Sequence, residues 1–269
     1  MSDLDAMIVS HYGPAPLATR PADTGDADSS GVPIAGADEF HLGGRQATAA
    51  VGEALELGPD HRLLDIGCGF GGPARHFCAR FGCEVVGLDL TPSFVEAAVA
   101  LTQRAGLAGR VSFHLGSALD LPFEPETFDR VVMLHVGMNI ADKVGLAHQI
   151  RRVLAPGGRF AIYDVMRTGE GEVDYPVAWA SDARMSFVAT PTEYRQACGE
   201  AGLTVVDERS LRDQVLAQLK AGAVSASVPP GPFGPSLLMG ESAPLKLQNM
   251  RKAIEAEILA PILLVGHGG

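Results

Sequence analysis

The stretch LLDIGCGFGGPARHF, residues 63–77, joins an acid, a glycine cluster and a helix start. Gly67, Gly69, Gly71 and Gly72 place four glycines within six residues, just after Asp65. Glycine loses the most backbone freedom on folding, so such a cluster marks backbone that must turn left-handed or lie against another group. Asp89 stands 20 residues beyond Gly69, at the end of a second apolar run, CEVVGLDL. A carboxylate at that spacing is placed to accept the hydroxyls of a ribose. Asp65 adds a second constraint. At the mouth of a helix N-terminus, which otherwise favours anions, a carboxylate repels phosphate and suits a cation such as an α-ammonium. The pair therefore points to S-adenosylmethionine (SAM), which has an ammonium and a ribose and no phosphate, over a dinucleotide. The alternative is structural, with Asp65 capping the turn and Asp89 the helix that begins at Thr91-Pro92.

These residues need a scaffold, and the pattern along the chain supplies one. RLLDIG, CEVVGLDL, RVSFHLGSA, FDRVVMLHV and RFAIYDVM read as strands. Between them PARHFCARFG, PSFVEAAVALTQRAGL and DKVGLAHQIRRVLAPGG read as helices. TPTEYRQACGEAG (Thr190 or Thr192 as cap), TVVDERS and APILLVGHG add a helix and two strands. Alternating strands and helices, with near-continuous apolar strands, predict an open sheet covered on both faces. The expected fold is α/β: a Rossmann-like, seven-stranded, mostly parallel sheet with helices on both faces and a small helical lid. Residues 1–37, rich in Pro, Gly, Ala and Asp, are expected to be a mobile segment able to order over a ligand. Residues 38–269 form the main domain, with lid insertions at 167–189 and 210–257.

Bulk properties limit the function classes. At 269 residues with 46% hydrophobic composition, the chain can bury a substantial core. A net charge of −11 argues against a nucleic-acid groove. No apolar run approaches the ~20 residues of a membrane span, and MSDLDAMIVSHYG lacks the regions of a signal peptide. Cys68, Cys78, Cys83 and Cys198 show neither a disulfide framework nor zinc spacing, and the histidines are scattered, so no metal is expected. The expectation is a cytoplasmic protein acting on a small molecule, with a homodimer through the C-terminal helices.

The chain resembles the class I SAM-dependent methyltransferases through LLDIGCGFGGPARHF, GLDL, GSALDLPFEPETFD, VVMLHV and RVLAPGGRFAIYD, over roughly residues 38–210. DEFHLGGRQAT, HVGMNIADK, YPVAWA and SFVATPTEYR look like the sarcosine/dimethylglycine N-methyltransferase-like branch, related to ubiquinone-pathway methyltransferases. The resemblance implies that Asp65, Gly67, Cys68 and Gly69 line the methionine end of SAM. It implies that Asp89 and Leu90 bind ribose and adenine, with Ser117 and Ala118 bordering the adenine. Gly43, Gly44 and Thr48 would pack on SAM from the front, Tyr12 would close over it, and His135 would touch the cofactor or acceptor side. Two positions depart from the family: Ser117 replaces the usual Asp, and Gly137 replaces the usual Gln, which predicts a larger acceptor pocket.

Acceptor chemistry has its own candidates. His135, at a strand's carboxyl end, and His41, beside a glycine pair, suit a general base or a packing role, since a free imidazole exchanges its proton near neutrality. Tyr163 and Asp164 are expected to face the same crevice. Met138 and Asn139 would wall the acceptor. Tyr175 and Trp179 offer aromatic faces to a methylammonium or pack the lid. Arg45 and Arg167 would hold a carboxylate or stay solvated. The first expectation is methyl transfer to an amine nitrogen, with oxygen or carbon acceptors as alternatives. A non-catalytic SAM-binding regulator and an NAD-dependent oxidoreductase are the competing classes.

Overall fold

The computed structural model describes residues 3–12, 38–220 and 236–269. Seven strands form one sheet: β1 (Arg62–Ile66), β2 (Glu84–Asp89), β3 (Val111–Leu115), β4 (Phe128–Leu134), β5 (Leu154–Arg167), β6 (Leu203–Ser210) and β7 (Leu259–Gly268). Their order is β3-β2-β1-β4-β5-β7-β6, with β7 antiparallel to both neighbours and the other pairs parallel. This is the expected Rossmann-like sheet. Its order reverses direction between β1 and β4, and the carboxyl ends at such a switch point leave a crevice for a ligand.

Nine helices accompany it among the described residues: α1 (Asp3–Tyr12), α2 (Gly44–Ala54), α3 (Gly72–Phe81), α4 (Pro92–Arg104), α5 (Lys143–Val153), α6 (Pro191–Glu200), α7 (Arg212–Lys220), α8 (Ser236–Met239) and α9 (Ala243–Glu255). Their starts are written locally. Pro73 and Pro92 sit in the first turns of α3 and α4, where a missing N–H costs nothing. Asp142 caps α5 by accepting the Gly145 N–H at 2.7 Å. Thr190, rather than Thr192, caps α6 in a reciprocal capping box with Glu193.

The side-chain period of two along each strand divides the core. Leu64, Ile66, Val131, Met133, Phe160 and Ile162 bury on one face, under α5 and α6. Leu63, Val132, Ala161 and Tyr163 bury on the other, under α2 and α3. Asp65 follows Leu63 by two and so lies on the α2/α3 face. Tyr163 and Asp164 are consecutive and point to opposite faces, which corrects the expectation that both face one crevice.

The expected mobile segment over residues 1–37 lies mostly outside the described residues; within it, residues 3–12 form α1. The two expected lid insertions pack mainly against each other. Val177, Trp179, Met185, Val215, Leu216, Met250 and Ile254 share one buried cluster at the side of the sheet. The Pro/Gly-rich loop of the second insertion, residues 221–235, lies outside the described residues. No described helix is long and apolar enough to cross a membrane.

Candidate cofactor and acceptor site

A cavity of about 250 Å³ opens at the switch point between β1 and β4. Its floor is the glycine loop between β1 and α3. Gly67, Gly69 and Gly71 all have positive φ, at 74°, 53° and 78°. Gly67 is forced by packing, because a Cβ there would lie 2.3 Å from Val136. Gly69 differs: a Cβ there would meet no protein atom within 4 Å, and Gly69 lines the cavity. The missing side chain leaves room for a ligand.

Asp65 is 1% exposed, and its Oδ2 has no hydrogen-bond partner among the described residues. Burial pushes its carboxyl up to about 7; the His41 ring opposes that shift, and Asp89 and Glu39 add to it. A buried carboxylate oxygen without a donor is costly unless a ligand supplies one. Asp89 ends β2 and is anchored at both oxygens, Oδ1 accepting from the Thr91 N–H and Oδ2 from the Gly69 N–H, each at 2.9 Å. Burial raises its carboxyl, and the two backbone donors oppose the rise. Each oxygen keeps a lone pair for a hydroxyl. Capping and ligand binding are compatible at Asp89. An orphaned acid, an anchored acid and a side-chain-free cradle between them fit the ammonium and ribose of SAM.

Other expected cofactor contacts divide. Cys68, Leu90, Ser117 and Ala118 line the cavity. The Ser117 hydroxyl accepts the Leu119 N–H at 3.2 Å, bracing the loop after β3. Gly43, Gly44 and Thr48 do not line the cavity; they build the turn that presents His41. Gly43 precedes α2 at φ 83°, and a Cβ there would strike Ala47. Thr48 is buried behind the His41 ring, 3.0 Å from its Nε2.

On the upper wall, α1 brings Ile8 and Tyr12 to the cavity. The Tyr12 hydroxyl donates to Asn139 Oδ1 at 3.0 Å, and Asn139 Nδ2 donates to the Trp179 carbonyl at 2.8 Å. Phe70, Phe94 and Leu238 form an apolar cluster that Tyr12 and Phe40 join, and all five line the cavity. The sequence patterns gave no reason to select Phe40, Phe70 or Phe94, since aromatic residues at helical spacing equally signal core.

His135 follows β4 at φ 56°, with its N–H bonded to the Tyr163 carbonyl at 2.7 Å. Its Nε2 is buried without a partner, and burial, reinforced by His41, holds the ring well below the usual histidine range. The His41 and His135 ring centroids are 5.9 Å apart, and both residues line the cavity. Glu39 was not singled out from sequence, yet it bonds both His41 and Thr48. Its position two residues before His41 was the available signal.

Several acceptor-side expectations are corrected. Tyr163 is buried beneath His41 and His135, and its hydroxyl donates to the Leu42 carbonyl at 3.0 Å. Asp164 is fully buried on the opposite face, where Oδ2 accepts the Tyr194 hydroxyl at 2.5 Å; burial raises its carboxyl to about 6. That pair also explains Gly137, whose Cβ would fall 2.1 Å from the Tyr194 hydroxyl. The missing side chain accommodates packing and does not enlarge the cavity. Met138, Tyr175 and Trp179 belong to the lateral cluster and do not line the cavity, and the Trp179 Nε1 donates to Ser186 at 3.0 Å. Arg167 caps the carbonyls of Gly169 and Gly171, at 3.3 and 2.9 Å. Among the described residues no group of His, Cys, Asp and Glu is arranged to hold a metal ion.

The sheet order and the crevice at its switch point are those of the Rossmann-like methyltransferase fold. Residues 64–162 match the methyltransferase domain family. Methyltransferase GfsG of Streptomyces halstedii is 34% identical over 132 residues, 49% of this chain and 48% of that protein. The chloroplastic tocopherol O-methyltransferase of Arabidopsis thaliana is 39% identical over 101 residues, 38% of this chain and 29% of that protein. The matches thus span less than two thirds of either relative. The structure of geranyl diphosphate C-methyltransferase from Streptomyces coelicolor A3(2), with Mg2+, geranyl diphosphate and S-adenosyl-L-homocysteine, superposes with a TM-score of 0.72 at 17% identity, covering 100% of this chain and 99% of that one. A putative sarcosine dimethylglycine methyltransferase from Galdieria sulphuraria superposes at 0.64 with 22% identity, covering 82% and 84%.

Proposed function

We propose that the protein transfers the methyl group of SAM to carbon or oxygen of an uncharged, largely apolar small molecule. The observation that carries the cofactor half is Asp65, a buried carboxylate with a free oxygen beside the glycine loop and across from Asp89. SAM, when bound, supplies a methyl already activated on a sulfonium whose leaving group is a neutral thioether. The chain's own task is then to hold the reacting groups in line and keep water out, which supplies several kcal/mol in favourable cases. Asp65 takes the ammonium, Asp89 the ribose, and Phe40, Phe70, Phe94 and Tyr12 enclose the apolar remainder.

The acceptor half rests on what surrounds the cavity. Its described lining includes Asp5, Asp38, Asp65, Asp89 and Asp142 and contains no Lys or Arg. An acceptor carboxylate or phosphate would find no counter-charge there. Arg45, Arg167, Asp164 and Tyr175, the groups suited to a small amino acid, do not reach the cavity. Support for an amino-acid acceptor is correspondingly weaker. Relatives named as O- and C-methyltransferases point the same way. Of the two histidines on the wall, His41 has both nitrogens engaged, so the proton of a hydroxyl acceptor is assigned to His135.

Methyl transfer from labelled SAM tests the reading, with uncharged phenols and prenyl alcohols set against sarcosine and dimethylglycine and with Asp89→Ala as the blank. Label in the uncharged set alone supports it. Label in the amino acids alone restores the nitrogen reading.

A further inference from the structure

Packing accounts for Gly67 and ligand space for Gly69. That leaves Gly71, Gly72 and the Pro-Ala-Arg that follows them. We propose that Arg75 is a positioning residue for the aromatic wall of the cavity, its buried guanidinium tying together the three chain segments that carry Phe40, Phe70 and Phe94. The inference deepens the proposed function and rests on that wall enclosing SAM.

The contacts are direct. Arg75 Nη1 donates to the Phe70 carbonyl at 2.8 Å and to the Thr102 hydroxyl oxygen at 3.1 Å. Nη2 donates to Asp38 Oδ1. Phe70 belongs to the glycine loop, Thr102 lies about two turns beyond Phe94 on α4, and Asp38 precedes Phe40 by two residues. The guanidinium is planar and its N–H groups form a fixed fork, so these bonds set where the three segments stand relative to one another. The Arg75 and Asp38 side chains are 6% and 12% exposed. At that depth the pair is hard to break, since removing either partner leaves a charge without its counter-charge.

The remaining two glycines make room for this arrangement. A Cβ at Gly71, whose φ is 78°, would lie 2.9 Å from Arg75 Nη1, and one at Gly72 would overlap the Asp38 carbonyl. The segment that begins at Asp38 can therefore cross directly over the start of α3. Asp38, Phe40, Phe70 and Phe94 line the cavity, and Arg75 does not. The Phe70 and Phe94 ring centroids are 4.7 Å apart, and Phe40 packs against the same cluster. The Arg75 charge thus stays behind the wall, where it shapes the cavity without meeting the ligand.

A double-mutant cycle on S-adenosylhomocysteine affinity, measured by calorimetry on the full chain, tests the proposal. Arg75→Met combined with Asp38→Asn removes both charges and strands neither. Phe40→Ala in the otherwise unsubstituted protein should weaken binding about tenfold, the scale of burying one phenylalanine side chain. In the background without the ion pair, Phe40→Ala should weaken it less than about threefold further, because the ring is no longer held against the ligand. A merely structural role lowers stability and leaves the effect of Phe40→Ala the same in both backgrounds, so equal losses overturn the proposal. Arg75→Lys, which carries one nitrogen in place of the fork, serves with the same readout if the combined variant does not fold. An unchanged affinity in Phe40→Ala alone overturns the enclosing wall, and this inference with it, while leaving the cofactor reading intact. An unsubstituted protein that does not bind S-adenosylhomocysteine overturns the cofactor reading itself.

Discussion

Replacing Asp65 with Asn keeps the shape of the cavity floor and removes one charge. Hydrogen bonds to charged groups contribute about 1.5–3 kcal/mol, so S-adenosylhomocysteine affinity should fall between roughly 10-fold and 150-fold at pH 8. The pH profile is the sharper readout. With the Asp65 carboxyl at about 7 in the free protein, only the ionised fraction receives an ammonium. The apparent dissociation constant then scales as one plus ten to the power (7 − pH), which gives about a tenfold weakening from pH 8 to pH 6. Asp65→Asn should lose that component of the slope. Calorimetry at both pH values on both proteins measures it, with circular dichroism to confirm folding. Equal affinities, or the same tenfold slope in Asp65→Asn, would refute the reasoning, because the titrating group would lie elsewhere.

The two cavity glycines should separate stability from binding. Gly67→Ala meets Val136 and should lower the melting temperature by the equivalent of about 1–3 kcal/mol. Gly69→Ala meets no protein atom, so beyond backbone strain of about 1–2 kcal/mol its main effect should be lost S-adenosylhomocysteine binding. The raised Asp164 carboxyl, at about 6 in the fold against an ordinary value of 3.8, adds a stability difference by linkage. The folded protein holds a proton that the unfolded chain releases, so this contribution is complete below pH 4 and is lost as pH rises through 6. It amounts to about 3 kcal/mol, and Asp164→Asn should flatten that part of a melting-temperature profile. Trp179→Ala should cost about 3–5 kcal/mol in denaturant unfolding, since the indole is buried in the lateral cluster, while the ranking of acceptors in the labelled-SAM assay stays unchanged. His135→Ala should reduce turnover with hydroxyl acceptors about 100-fold or more and leave S-adenosylhomocysteine affinity within a few fold.

Local chemistry made the sheet, the glycine loop and the two acids legible from sequence. Apolar strands, Pro73 and Pro92 at helix starts, and the spacing from Gly69 to Asp89 are properties of short segments, and a βα unit repeats them in order. The turn at HLGG was equally readable as a turn, but its purpose was not. Gly43 and Gly44 allow the chain to bend so that His41 lines the same cavity as Asp65. No spacing rule connects residues 39, 41 and 48 to residue 65, because their proximity depends on how α2 packs on the sheet.

Side-chain direction at the strand ends was the other limit. Tyr163 and Asp164 share a strand terminus, and the two-residue period sends one beneath the histidines and the other to Tyr194. Gly137 had an apparent meaning, an enlarged pocket, that changed once Tyr194 was seen to fill the space. The sequence by itself determined where the backbone turns, where the sheet reverses and which acids stand at that reversal, because these follow from local propensity and strand period. The tertiary structure alone decided which of those groups are left without partners, which are neutralised by neighbours and which walls carry no positive charge. Those properties belong to side chains from distant segments brought together in a medium without water, and function at this site depends on them.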